Sequence, residues 1–574
     1  MNIEFKWLLF CSLIIISFSG NGQKPVDKYN FDFETPLGDC PWICIKDTFW
    51  AEMDSINKVQ GKYSLLLSRT YLKTEFNLCI YQTILLPHKA KNVQASIFAQ
   101  NDLLLAAGLK LVGLDKNGKV VASDSVSLIN PGGWQKYVSK ISDDEGIDIL
   151  QIEIRAKETF KEKKRRVKLW IDDLNVTFDG NDLITCRELP IKFSNLDCND
   201  IGNNVGLSKI LEIPDKDLAA IPARIIGFGE SAHGSKEIAK SVFNNIKQLI
   251  TNHQCRLVLF EIPIDLGIRL NQFVHEKSFD EDIGNLISGL LIDNNEFVEF
   301  VKWIKQYNEK TKDKVSIFGF DYYPENSPLN ICKYLISKGS DNILMDSLLI
   351  MINSHNYRSI PLKFATKHAY QIRPWLGDKD YATLIQYLKN RTDSLCRLIS
   401  LWQSSDWGGI YRDYLMWQNC KFAFENFPEA ASGVAIYSHL SHLNKKTPIF
   451  LYSIKSLGQY ITESFEGNYF VIGMLIAEGK VSTFINHDDL IQQTIADPAS
   501  RSIESLCTMA KEDSFYKTLP LVSAIPILNR HIGLFYSKDR EFIPSFTSGS
   551  MDAVLFIRRS MGATIYRPIE HGEN

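Results

Sequence analysis

Between about Asn30 and Phe178 apolar and polar residues alternate in short runs separated by turn residues. The runs are YSLLLSR (63–69), the stretch around Cys79, VQASIFAQ (93–100), LAAGLKLVGLD (105–115), WQKYVSKI (134–141), IDILQIEIRA (147–156) and VKLWIDDLNVTF (167–178). Alternation places every second side chain on one face of a strand, and the turns at Asn117-Gly118 and Pro131–Gly133 divide the runs. This predicts an all-β, jelly-roll-like sandwich. After a polar stretch from about Gly180 to Asn204 the pattern changes. IIGFG (225–229) precedes a stretch whose apolar residues Ile238, Val242, Phe243, Ile246, Leu249 and Ile250 keep helical spacing. RLVLFEI (256–262), VSIFGF (315–320), GVAIYS (433–438), NYFVIGMLIA (468–477), VSTFI (481–485) and DAVLFI (552–557) read as further strands. Near-continuous apolar strands alternating with amphipathic helices predict a parallel sheet covered on both faces. About 327–427 has no comparable run and reads as a helical insertion.

The expected organisation is therefore a leader at 1–22, a β-sandwich at 23–180, a linker at 181–205 and, from 206 to 574, an α/β domain: a parallel sheet flanked by helices. The leader reading rests on Lys6, the apolar run Trp7–Phe18 and the small residues Gly20 and Gly22, which suit cleavage near Gln23. It implies an exported protein, periplasmic or extracellular, with no transmembrane segment after cleavage. Lys and Arg number 64 against 67 Asp and Glu, a net charge of −3, which offers no polybasic surface for nucleic acid. The one basic run, Lys161–Arg166, reads as a solvated loop. Of eleven cysteines, Cys40 with Cys44 or Cys186 with Cys198 could form a disulfide in an oxidising compartment, neither spacing being diagnostic, and there is no CxxC pair to suggest a zinc knuckle. A glycan is the candidate partner of the β-sandwich, beside a purely structural or docking role.

In a parallel sheet the ligand crevice lies beyond the carboxyl ends of the strands. Here those ends are ionisable. IIGFG runs into Glu230 and His233, LVLF into Glu261, IFGF into Asp321, and VAIYS into His439 and His442. A helix starting near Glu230 would put Glu230 and His233 on one face and leave backbone N–H groups free for an anion. A carboxylate on one ring nitrogen lets an imidazole act as a base through the other, and Glu230 or Glu261 suits that task. Arg412, Met416 and Asn419 share a helix face, so Arg412 and Asn419 are expected to reach the same crevice as donors to an oxyanion. Asp321, Asn419, Met416, Arg269 and Leu440 form the candidate substrate-binding set. Two other readings stay open: a metal held by His233, Glu261, His439 and His442, and a non-catalytic periplasmic or surface ligand-binding protein. Taken singly, Glu230 also reads as a helix-capping residue, His439 and His442 as core histidines, and Arg412 as a surface partner of Asp413 or Glu425.

From about Ile225 to Ile557 the chain resembles the erythromycin esterase family. The matching motifs are GESAHG (229–234), the LFE ending at Glu261, GFD at Asp321, R-x3-M-x2-N from Arg412 to Asn419, IYSHLSH (436–442) and SLGQYITESFEGNYFVIG (456–473). The resemblance implies hydrolysis of a macrolide lactone by water, an antibiotic-resistance activity. His233 would be the general base, with Glu230, Glu261, His439, His442 and Arg412 around it, and no cofactor. Where family members that open macrolides read AHNAH, this chain reads SHLSH, with Leu440 in place of Asn. No GxSxG turn supplies a serine nucleophile.

Overall fold

The structure, a computed structural model, describes residues 29–34, 42–45, 50–70, 77–101, 105–115, 118–129, 132–158, 166–186, 205–206, 212–279, 281–288, 290, 292–321, 329–338, 343–353, 359–392, 406–446, 455–484, 490–499, 502–508, 514–516, 527–533, 536, 541–545 and 549–564. The leader, Cys40, Cys198 and most of the basic run lie outside the described residues.

The amino-terminal region is built from antiparallel strands: β1 (Ile43–Ile45), β2 (Trp50–Asp54), β3 (Ser64–Thr70), β4 (Asn77–Asn101), β5 (Leu105–Leu114), β6 (Val120–Ser127), β7 (Gln135–Glu158), β8 (Arg166–Phe178) and β9 (Asn181–Asp182). Their order is β2-β3-β8-β4-β7-β5-β6, with β1 on β4 and β9 on β8. Two pairs of runs that read as separate strands are continuous. β4 joins the run at Cys79 to 93–100, and β7 joins 134–141 to 147–156. Their shared ladder shifts register between Leu85 and Asn92, which lets one long strand pair with β1 at one end and β8 at the other. Alternate residues, among them Ile80, Ile97, Leu109, Ile152 and Leu169, converge with Phe31, Phe33 and Trp42 on one core.

In the second region the sheet order is β10 (Val205–Gly206), β17 (Ser514–Tyr516), β20 (Ala553–Ser560), β15 (Tyr469–Phe484), β11 (Ile225–Glu230), β14 (Val434–His439), β12 (Leu257–Pro263) and β13 (Ser316–Asp321). The strands from β20 to β13 are parallel. Successive residues serve opposite faces: Val434 and Ile436 enter one core, Ala435 and Tyr437 the other. The chain passes from β11 towards β12 on one side and later to β15 on the other, so the carboxyl end of β11 is a switch point of the topology.

Helices α1 (Lys236–Asn252), α2 (Ile264–His275) and α3 (Asn295–Lys310) follow the first two strands. The expected helix start at Glu230 is corrected. Glu230 closes β11, and α1 opens at Lys236, where the Ser235 hydroxyl accepts from Ile238 N at 3.2 Å. The insertion between β13 and β14 contributes α4 (Leu329–Ser337), α5 (Ile343–Asn353), α6 (Ile360–Lys367), α7 (Ala369–Leu376), α8 (Asp378–Thr392) and α9 (Asp406–Asn426). Beyond it come the single turn α10 (Leu440–Leu443) and α11 (Leu457–Ser464). The runs read separately at 468–477 and 481–485 meet in the one strand β15 (Tyr469–Phe484), whose far end pairs with β16 (Leu490–Thr494). A hairpin of β18 (Ile527–Arg530) and β19 (Phe542–Ser545), unmarked by any strong sequence pattern, lies outside the main sheet. No described helix is long and apolar enough to cross a membrane.

Candidate active site

Three adjacent parallel strands, β11, β14 and β12, deliver Glu230, His439 and Glu261 to one end of the sheet, with Asp321 ending β13 beside them. His233 stands three residues beyond β11 on a loop held by other segments. Ser231 N donates to Met474 O, His233 N to Ile532 O, and Ser482 N and Ala563 N to Gly234 O, all within 3.0 Å. Gly234 has φ +72°, and a Cβ there would meet Ser482 O at 1.9 Å, so the loop needs glycine at this point. Helical geometry is not what brings Glu230 and His233 together, yet they are joined: His233 Nδ1 lies 2.7 Å from Glu230 Oε1. The buried Tyr437 hydroxyl donates to Glu230 Oε2 at 2.7 Å, fixing the carboxylate from its other side. Burial acts against a charge on His233, but the Glu230 carboxylate outweighs it, and the imidazole's pKa is raised. Nε2 of His233 is left for solvent or substrate, the side chain being 12% exposed.

Glu261 does not orient His233. Its Oε1 accepts from Arg412 Nη2 at 2.7 Å, and its Oε2 accepts from Ser438 Oγ at 2.7 Å and His439 N at 2.8 Å. Although burial works to raise its pKa, His442, Arg412 and His233 together hold this carboxyl well below the usual carboxylate range. Arg412 forks onto Asp321, Nε to Oδ1 at 2.9 Å and Nη2 to Oδ2 at 2.7 Å. The expectation that Arg412 meets a developing oxyanion is therefore revised, because its charge is already shared by two carboxylates. His442 is joined through Nδ1 to Asp413 and stands with Nε2 3.5 Å from Glu261 Oε1. Burial lowers its basicity, yet Asp413 and Glu261 prevail and its pKa is raised. The surface pairing of Arg412 with Asp413 is thus replaced by two separate partnerships inside the crevice.

His439 caps α10. Its Nδ1 accepts from Ser441 N at 3.2 Å and lies 2.8 Å from Ser441 Oγ, which places the ring proton on Nε2. That Nε2 is buried without a hydrogen-bond partner. Burial, then the neighbouring His531, His233 and His442, push the pKa of His439 far down, so it is a neutral donor. Its ring centroid is 4.8 Å from that of His233 and 4.5 Å from that of His531, a residue the strand-end argument did not single out.

The other candidate substrate contacts lie elsewhere. Asn419, fully buried, donates to Phe320 O at 2.9 Å and accepts from Gln386 at 3.0 Å and Asn390 at 2.9 Å, tying α9 and α8 to the end of β13. Met416 is fully buried in the core. Leu440 covers Gly229, where a Cβ would meet its Cδ1 at 2.6 Å, so it is a packing residue beneath the crevice. Arg269, on α2, pairs with Glu281 at 3.0 Å and stacks 4.5 Å over Phe279. Asp321 is present at the site but occupied by Arg412. Among the described residues no group of three or more His, Cys, Asp or Glu is arranged to hold a metal ion.

The family profile described as erythromycin esterase matches residues 250–347 and 379–560. Erythromycin esterase type II of Escherichia coli is 20% identical over 368 residues, covering 55% of this chain and 87% of that protein. Among solved structures, a Bacillus cereus protein aligns with TM-score 0.53 at 16% identity, over 66% of this chain and all of its own. A succinoglycan biosynthesis protein aligns with TM-score 0.50 at 18% identity, over 67% of this chain and all of its own. At such identity these two likenesses concern the fold. The profile match, the curated relative and the ordered motifs agree: the chain belongs to the erythromycin esterase family and is a hydrolase of ester bonds.

Proposed function

We propose that the protein is an exported hydrolase that cleaves carboxylic esters, macrolide lactones among them, with a water molecule activated by His233 and without a serine nucleophile or a metal. The observation that carries this reading is the half-buried pair His233 Nδ1 and Glu230 Oε1 at 2.7 Å, which leaves Nε2 open on a ring of raised basicity. Nε2 removes a proton from water as its oxygen attacks the ester carbonyl. The carbonyl oxygen takes up the negative charge and receives a hydrogen bond from the otherwise unpartnered Nε2–H of His439. The tetrahedral intermediate then collapses, the ester C–O bond breaks, and His233 returns its proton to the departing alkoxide, so that one water is consumed and an acid and an alcohol are formed.

Arg412, Asp321, Glu261, His442 and Asp413 act as the charged frame behind these two histidines. Glu261 carries the backbone N–H of His439, and so fixes the donor's position. The name of the curated E. coli relative supports a lactone as one substrate, while Leu440, which packs on Gly229, marks a local difference in the SHLSH turn. The amino-terminal strands are read as an accessory sandwich module with a glycan as its candidate partner.

The test is mass spectrometry of erythromycin and a panel of lactones and simple esters incubated with the purified protein. Gain of one water, abolished by His233→Ala and undiminished after chelator treatment, is the expected result. Loss of activity with chelator would replace the metal-free mechanism, and a panel left intact by the wild-type protein would remove the esters tested from its substrates.

A further inference from the structure

Four histidines meet at the site, and they divide into two kinds. His233 and His442 each hold a carboxylate, Glu230 and Asp413. His439 and His531 hold each other, ring edge to ring face, with centroids 4.5 Å apart and planes at 80°. His531 reaches this place from the β18–β19 hairpin by a route that fixes its backbone. Ile532 N donates to Ser231 O and Ile532 O accepts from His233 N, both at 3.0 Å, so the segment is laced to the loop that carries the base. One residue earlier, the fully buried Arg530 pairs with Glu541 and donates to Ala477 O at 2.8 Å and Ala496 O at 3.0 Å. A buried guanidinium tied to two other segments makes the hairpin end a rigid support.

We propose that His531 is a positioning residue of the ester hydrolase: by filling the side of His439 with a second uncharged imidazole, it keeps His439 a neutral Nε2–H donor beside the base. This inference rests on the hydrolytic reading above. An imidazolium at His439, 4.8 Å from the His233 ring, would oppose the proton His233 must take. A carboxylate in the position of His531 would invite that charge, as Glu230 and Asp413 do for their partners. His531 supplies no such carboxylate. The charged groups that face the pair are His233, His442, Arg412 and Glu261. Burial first, and then His442 and His233, lower the basicity of His531 to about 3, so it adds no charge of its own.

Side-chain NMR of selectively labelled histidines, together with rates on any ester turned over, tests this. In the wild-type protein the His439 ring is expected to stay in its Nε2–H form, without titrating, from about pH 8 to pH 5, a window spanning the ordinary histidine pKa. His531→Asp should make His439 titrate inside that window and cost on the order of 10²-fold in kcat, the scale of a lost oxyanion donor. His531→Phe, which keeps an edge-on ring without nitrogen, should leave His439 neutral and the rate within about threefold, well inside that scale. A wild-type His439 that titrates normally, an unchanged His439 in His531→Asp, or a loss in His531→Phe equal to that in His531→Asp would each overturn the proposal. The NMR result is read whether or not an ester is cleaved. Absence of turnover with His439 neutral would therefore indict the hydrolytic reading alone, and turnover with His439 charged would indict the role of His531 alone.

Discussion

The pH response at His233 follows from its partner. As a base the ring must be uncharged, and its raised pKa sets the acid limb of kcat/KM above about 6.5, the ordinary histidine value. In Glu230→Gln the carboxylate is gone while burial remains, so the acid limb should move below that value, with about 10²-fold lost at the plateau. A pH profile of both proteins checks the direction; an unmoved limb would show that His233 is not the titrating base. Stability carries the opposite sign. A histidine whose folded pKa is raised stabilises the fold fully below about 6.5 and loses that contribution as pH rises through the folded pKa. Gly234 belongs to the same scale. Gly234→Ala must force a Cβ against Ser482 O, so the loop carrying His233 has to move, and turnover should fall by about 10²-fold, as a displacement near 1 Å does elsewhere. Thermal melts beside the rates would separate this loss from unfolding. The ionisable strand ends made Glu230, Glu261, Asp321 and His439 legible in the sequence. Asp413, Tyr437 and His531 were not legible, for different reasons. Asp413 sits next to Arg412 on a helix, where neighbours do not share a face; Tyr437 looks like an ordinary strand residue; and His531 arrives on a hairpin with no parallel strand before it.

Among elements, α9 has two anchors of different kinds. Arg412 near its start forks onto Asp321 and also holds Glu261, while Asn419, two turns later, ties the Phe320 carbonyl to α8. Arg412→Met would leave the buried Asp321 and the half-buried Glu261 without their cation, a loss of about 3 kcal/mol, the lower end for broken buried pairs. Asn419→Ala strands a backbone carbonyl and two side-chain amides, about 1–3 kcal/mol, with little reason to alter the chemistry. Denaturant titrations of both variants, set against their kcat, should therefore show Arg412→Met losing stability and activity and Asn419→Ala losing mainly stability. Equal loss of activity in Asn419→Ala would return Asn419 to the substrate contacts the helical spacing suggested. Spacing placed Arg412, Met416 and Asn419 on one face correctly enough to predict proximity, but a face two turns long points into both a crevice and a core. The parallel strands were readable because both faces are buried and the apolar runs are continuous. The long antiparallel strands were read as pieces because polar residues interrupt them at the bends.

At the scale of the molecule, the described apolar side chains of the two regions fall into separate cores. Phe31, Trp42, Ile97 and Ile152 belong to one; Leu259, Phe318 and Ile436 to a second; Phe228, Val242 and Phe300 to a third, the last two lying on opposite faces of the same sheet. Burial of that kind is the main driving force for folding, so a region that owns its core is able to fold without the other. The place to cut is set by hydrogen bonds rather than by composition. Asn181–Asp182 pairs with β8, whereas Val205–Gly206 pairs with Ser514 and Phe515 at the edge of the second sheet. A chain starting between 187 and 200 keeps both pairings with their own regions. It should fold, melt cooperatively and hydrolyse a small ester within about threefold of the full chain, because every residue of the His233, His439 and His442 clusters follows the cut and a factor of three is under 1 kcal/mol. A chain starting after Gly206 should be less stable, having lost the strand that covers β17. If the longer fragment failed to fold while the shorter did, the two-residue strand would not be the boundary. If neither folded, the β region would be part of the catalytic domain's own stability rather than an accessory to it.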